Sequence, residues 1–367
     1  MHNLSYPSVR QAHRYRTVYS GLTVLTVVLY GLLLCSVPRV FASCGQAFCP
    51  IETSTTTERH PHGGELQLNL TYEFIDMDDP FIGTSSARVG EIPRGHDEQF
   101  THNQTVKFSL DYGITPRLAV GLLLPFVDRL HQHLAHEEEE VVGGSLEETE
   151  VVARTERWRY QDVGDIQMTS RYLLRPPPTP LHASLSLIVG MKFPTGRTGV
   201  DNDEGEKAEL TLQPGNGSWD GIVGLSYAQH FSVATAKRQT ALAPLFVTAL
   251  TRFPIGTGKF GYRPGTELFL NLGTAYPVFR NFDVLAQINF HYRDRDNVGH
   301  APGVEHADSG RETLFLSPGL RYRVTDNLAV YALMQFAVYR RVNGIQLTSD
   351  WNITSGISYR FNLFSPV

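Results

Sequence analysis

The feature that most constrains this chain is an alternation of apolar and polar residues with a period of two, which begins after Gly64 and continues to the C-terminal end. Leu66, Leu68, Leu70, Tyr72 and Phe74 alternate with Glu65, Gln67, Asn69, Thr71 and Glu73. Successive side chains of a strand point to opposite faces, so one face meets an apolar medium and the other meets water. Val106, Phe108, Leu110 and Tyr112 repeat the pattern, as do Val284, Ala286, Ile288, Phe290 and Tyr292. Trp351, Ile353, Ile357, Tyr359 and Phe361 close the series. The pattern predicts twelve strands, near 64–76, 104–113, 117–128, 162–174, 182–194, 218–231, 240–253, 265–276, 281–293, 311–324, 327–340 and 350–362.

Loop lengths separate a membrane barrel from a soluble sandwich. Short turns fall at Ile114-Thr115-Pro116, at Pro176 to Pro180, at Ser232 to Gln239, at Val278 to Asn281 and at Thr325-Asp326-Asn327. Longer loops are expected near 77–103, 129–161, 195–217, 254–264, 294–310 and 341–349. Strict alternation of short and long connections suits an even-stranded barrel with both termini on the short-turn side, the periplasmic one. Closure is a physical requirement, because a strand in lipid has no water to satisfy an open edge. The expected fold is therefore all-β, a closed antiparallel transmembrane β-barrel of twelve strands over 64–362, followed by a tail at 363–367. Composition fits: a mean hydropathy of -0.19 is too polar for a helical membrane protein, whereas a barrel shows lipid only alternate residues. The formal charge of -5 gives no basic face for nucleic acid.

The N-terminus reads as an export signal. Arg10, Arg14 and Arg16 precede an apolar run from Leu22 to Cys35, and Val40-Phe41-Ala42 offers a small-residue cleavage pattern before Ser43. An uncleaved anchor is the alternative, although the run is shorter than the ~20 residues of a span. Residues 1–42 are thus the expected signal peptide, and 43–63 a short periplasmic segment. That segment holds Cys44 and Cys49, which read first as a small disulfide loop in an oxidising compartment; a lipidated Cys44 and a thiolate metal site are the other readings. The expected localisation is the outer membrane, among lipid and lipopolysaccharide. The last strand, ending in Tyr359 and Phe361, resembles the recognition signal of the barrel assembly machinery.

Three short motifs stand out in the middle of the chain: Val163-Gly164-Asp165-Ile166, Gly190-Met191-Lys192-Phe193-Pro194-Thr195-Gly196, and Gly215-Asn216-Gly217-Ser218-Trp219-Asp220 leading into Gly224-Leu225-Ser226-Tyr227. In order and spacing they resemble the family of outer-membrane transporters named for the meta-pathway of phenol degradation, over roughly residues 105–362. The resemblance implies a barrel that passes small compounds, often aromatic or hydrophobic. The segment around Gly90 to Glu98 and the acidic 129–161 region fall outside its pattern.

Strand parity puts charge on the predicted lumen face. Lys107, Asp111, Asp165, Arg171, Lys192, Asp283, His291, Arg293, Arg321, Arg323 and Arg360 are the expected pore-lining residues, with Glu65, Glu73, His230 and Arg252 on the same face. Such groups either set the field that selects a solute or pair across a narrow barrel and plug it. A second constellation is His131, His133 and His136 before Glu137 to Glu140, whose imidazoles and carboxylates suit a divalent ion. No Gly-x-Ser-x-Gly elbow or His-Glu-x-x-His pair points to an enzyme, and Gly256-Thr257-Gly258-Lys259 lacks the spacing of a phosphate loop. The leading expectation is passive passage of small molecules, without cofactor. The alternative is a barrel whose His/Glu-rich outer loops bind divalent metal or a partner without transport.

Overall fold

The computed structural model describes residues 60–88, 96–141, 148–179, 181–236, 240–300 and 308–363, without side chains at 96–97, 135–141 and 148–153. The expected signal peptide, Cys44 and Cys49 lie outside the described residues, as does the tail beyond Leu363.

The chain is all-β and closes on itself. The wall is built from β1 (Glu65–Met77), β4 (His96–Gly113), β5 (Leu118–Val141), β6 (Glu148–Val163) with its continuation β7 (Gln167–Arg175), β8 (Ser184–Lys192), β9 (Trp219–Ala234), β10 (Thr240–Ile255), β11 (Glu267–Phe279), β12 (Phe282–Arg293), β13 (Arg311–Arg323), β14 (Leu328–Val342) and β16 (Trp351–Asn362). Each pairs antiparallel with its neighbours, and β1 joins β16 to complete the ring. With β6 and β7 taken as one position, this is a closed barrel of twelve strands.

The exterior exposes Leu70, Phe108, Leu122, Val189, Leu225, Ile288, Leu320 and Ile357, while Gln67, Asn69, Thr71, Asn271 and Asn352 on the alternate positions are buried inside. That inversion of the usual soluble pattern is what a barrel shows to lipid. Among the described residues no helix is long and apolar enough to cross a membrane. At the short-turn end the chain repeats one device. Thr115 Oγ1 accepts from the backbone N–H of Arg117 and Leu118, and Thr325 Oγ1 accepts from Asn327 and Leu328, closing two turns of identical geometry.

Two expectations about loops are corrected. Of the expected loop at 129–161, residues 129–141 and 148–161 are strand: β5 and β6 stay paired from Phe126↔Val163 to Val141↔Glu148. Beyond lipid the outer face of a strand meets water, so the apolar alternation that marks a membrane strand stops although the pairing does not. The expected loop at 77–103 is likewise shorter, because β4 starts at His96. Its first half holds β2 (Asp79–Ile82) and β3 (Ser85–Ser86), which join β15 (Ile345–Thr348) in a separate three-stranded sheet. This sheet ties the first long loop to the last. Arg340 lies over the Phe81 ring at 4.1 Å and pairs with Asp79 at 2.8 Å.

Candidate functional site: the barrel interior

The three motifs in the middle of the chain meet at one lysine. Lys192 Nζ, at the end of β8, lies 2.6 Å from Asp165 Oδ2, 3.2 Å from Asp220 Oδ2 and 2.7 Å from Asn216 Oδ1. It also donates to the carbonyl of Ser218. Asp165 sits in the break between β6 and β7, and its other oxygen accepts from the Gly196 N–H at 2.9 Å. The glycines are required by contact: a Cβ on Gly196 would stand 2.7 Å from the Gly215 Cα, and one on Gly215 would stand 2.6 Å from the Gly196 carbonyl oxygen. Thr195 Oγ1 donates to the Gly164 carbonyl and accepts from Ile166 N–H. The motifs thus clamp both ends of the 193–218 connection to the barrel rim.

From that base the connection packs onto the inner face of the β5–β6 hairpin. Val200, Ala208 and Leu212 form an apolar cluster with Val127, Trp158 and Tyr160. Arg129 and the Tyr160 hydroxyl donate to the Leu212 carbonyl, and Trp158 Nε1 donates to that of Glu206. Leu210 packs on Tyr262 and Val298, from the next two long loops. Tyr262 is fully buried, and its hydroxyl donates to Asp296 Oδ2 at 2.7 Å. Burial first, and then the Asp296 carboxylate, push the Tyr262 phenol well above its ordinary range. These loops pack on one another at the long-loop end of the barrel.

Just below, Arg252 contacts both oxygens of Glu267 at 2.8 and 2.9 Å, His291 Nε2 lies 3.5 Å from Glu267, and Arg293 is paired with Asp296. Lys107 pairs with Glu73. Farther down, charge gives way to a connected amide network. Asn289 donates to Asn271 and Gln287, Ser317 donates to Asn289, and Asn352 donates to Gln335.

The lumen is not uniformly polar, which corrects one expectation. Phe246, Leu285, Tyr331 and Leu333 are buried inside at mid-height, lodged against small neighbours. A Cβ on Gly273 would meet Phe246 Cζ at 2.3 Å, one on Gly319 would meet Leu333 Cγ at 2.6 Å, and one on Gly356 would meet the Tyr331 hydroxyl at 2.5 Å. The Tyr331 hydroxyl is 2.8 Å from Thr71 Oγ1. Large residues folded over glycines, together with the amide network, fill the middle of the barrel.

Among the described residues, the short-turn end is open. A cavity of about 660 Å³ is lined by Arg321, Arg323, Arg360, His182, His230 and Asp326, with prolines 176–178 at its rim. Arg321 and Arg323 both contact Asp283 Oδ2, at 2.9 and 2.6 Å. Register puts all the expected pore-lining residues on inward positions, except Asp165 in its strand break. Only Arg321, Arg323 and Arg360 among them line this vestibule, whereas Lys192, His291 and Arg293 are buried in the upper clusters. Arg171 and Asp111 are half-buried near the same end, opposite Ala119 and Gly121 of β5.

The expected metal residues divide. His131 and His133 come together with Glu98, all three buried and with ligand atoms within 4.8 Å of one another. The side chain of His136 lies outside the described residues. Glu98 and Glu156, which complete the group, fall in segments read from the sequence as loops. The sequence pattern does not mark Arg129, Asp220, Glu267 and Asp296 as interior residues either, and the strand expected at 117–128 stops one residue short of Arg129.

No family model and no curated protein matches the sequence. Solved structures do. A FadL homologue of Pseudomonas aeruginosa aligns at 10% identity and TM-score 0.40, over 89% of this chain and 100% of that one. The transport unit of the Escherichia coli autotransporter AIDA-I aligns at 10% identity and TM-score 0.46, over 84% and 96%. An outer membrane channel of Pseudomonas putida F1 superposes at TM-score 0.56 and 12% identity, over 85% of this chain and 100% of that one. The fold of this chain is therefore one found in an outer-membrane barrel.

Proposed function

We propose that this protein is an outer-membrane channel for small, aromatic or hydrophobic solutes, anionic ones foremost, which move without an energy source. The observation that carries the reading is the pair of surfaces along the lumen: a 660 Å³ vestibule with three arginines at one end, and buried inward apolar side chains farther along, Phe246 on β10 and the packed group of Leu285, Tyr331 and Leu333. A carboxylate would meet the guanidinium groups while an aromatic body meets the apolar group. In this reading the structure corresponds to the shut state of such a channel, and passage requires the 193–218 connection and the mid-lumen side chains to move. The shared fold with an outer membrane channel and the motif resemblance support the same reading. The reading includes export directed by residues 1–42, insertion by the barrel assembly machinery, and a surround of lipid and lipopolysaccharide.

Liposome swelling tests it. Vesicles carrying the folded full-length protein should swell faster in a small aromatic carboxylate than in a sugar of equal mass. Equal rates for the two solutes, or rates equal to protein-free vesicles, would contradict the proposed selectivity or the passage itself.

A further inference from the structure

We propose that Glu98, His131 and His133 form a binding site for one divalent transition-metal ion, of the zinc or copper class, at the base of the β5–β6 hairpin. The site does not depend on whether the barrel conducts.

Geometry carries the proposal. His131 Nε2 lies 3.2 Å from His133 Nδ1 and 3.4 Å from Glu98 Oε2. Ligand atoms bonded to zinc at 2.0–2.1 Å are separated by about 3.3 Å along a tetrahedral edge. His131 Nε2 thus stands at ligand spacing from a second imidazole nitrogen and from a carboxylate oxygen, with the ligand atoms of the three residues within 4.8 Å of one another, in a pocket that solvent barely reaches: the side chains are 1% exposed at His131 and 4% at Glu98. The strand supplies the spacing. Residues 131 and 133 share one face by the period of two, and register sets Glu98 directly across from His133.

The far ring nitrogens are held as well. His133 Nε2 donates to Glu156 Oε2 at 2.9 Å, which leaves Nδ1 of the neutral ring as a lone pair facing the site. His131 Nδ1 lies 2.8 Å from Thr101 Oγ1. With that nitrogen donating to Thr101, His131 Nε2 also presents a lone pair, and the change is a shift of one ring proton between nitrogens with no net release. A carboxylate or hydroxyl behind each ligating imidazole is the usual second layer of a metal site. Three protein ligands leave a fourth position for solvent or another ligand. Without an ion, the same residues form a buried histidine pair with Glu98 as the ion-pair partner of His131, and zinc titration separates the two.

Trp158 offers a reporter. Its ring centroid lies 4.9 Å from that of His133 and 5.7 Å from that of His131, and its Nε1 donates to the 193–218 connection. An ion here would stiffen the hairpin where that connection packs.

The experiment is zinc titration of tag-free, full-length, folded protein after chelator treatment, followed by calorimetry and by Cu²⁺ quenching of tryptophan fluorescence. The expected result is one tightly bound equivalent, abolished in the pair His131→Ala/His133→Ala and about tenfold weaker in Glu156→Gln. Trp158→Phe should remove most of the quenching but leave the stoichiometry intact. Glu98→Gln, which keeps the side chain's shape, serves if the double variant fails to refold, and should weaken binding strongly. Absence of stoichiometric zinc on the folded wild type overturns the proposal. So does binding that Glu98→Gln and Glu156→Gln leave unchanged, which would assign the ion to the acidic stretch at Glu137 to Glu140.

Discussion

Lys192 and Asp165 stand 2.6 Å apart, both buried, and through this pair the two ends of the 193–218 connection are fixed to the rim of the barrel. The lysine also pairs with Asp220, which lies 4.0 Å from Arg252 Nε as well. Removing one partner of a buried ionic group leaves the other uncompensated, which costs on the order of 3–5 kcal/mol.

Lys192→Met should therefore lower resistance to denaturant by roughly that amount and release the 193–218 connection. Limited proteolysis checks the second part. Cleavage within 197–207 is expected in the variant under conditions where the wild type resists. Asp165→Asn, which keeps a hydrogen-bond acceptor for Lys192, should be milder.

Phe246 fills the lumen against Gly273, where a Cβ would come within 2.3 Å of its ring. Phe246→Ala should open the mid-section at a cost of about 3 kcal/mol in stability. Single-channel recording should give a larger unit conductance than wild type. Gly273→Ala should displace the ring and destabilise the barrel, visible as a lower temperature of heat-modified mobility.

The vestibule sets charge preference. Arg321→Gln with Arg360→Gln removes two of its cations while Arg323 keeps its contact with Asp283. Reversal potential under a salt gradient should shift toward cations. An unchanged potential would mean that selection occurs elsewhere in the lumen.

Tyr262 links pH to the mouth. Its phenol titrates well above the ordinary value because burial and the Asp296 carboxylate oppose the phenolate. In the unfolded chain it ionises near pH ~10. Its contribution is thus fully present below that pH and lost as pH rises toward the folded value, because the unfolded state then holds fewer protons. Tyr262→Phe should flatten the alkaline fall in stability, measured by urea unfolding at stepped pH, while lowering stability at neutral pH by the lost hydrogen bond.

The strand order and the inward residues were legible because the bilayer imposes a period of two on every strand that crosses it. Leu66 to Phe74 and Val284 to Tyr292 read without ambiguity. The segment from Thr240 to Ile255 read weakly, and the structure gives the reason: Phe246 is apolar and points inward, so both faces of β10 look alike. The hairpin beyond Val127 was invisible for the opposite cause, since outside lipid neither face need be apolar. His131 and His133 could be placed on one face from spacing alone. Glu98 and Glu156 could not join them until register was known, and the filling of the lumen depends on pairs such as Phe246 and Gly273 that lie on different strands.

The central claim, that solute passes through this lumen, is tested most directly by single-channel recording of the folded protein in planar bilayers, with Phe246→Ala alongside. The account predicts discrete current steps in the wild type, larger steps in the variant, and block of both by a small aromatic carboxylate. Silence from folded wild type and folded Phe246→Ala alike would contradict it.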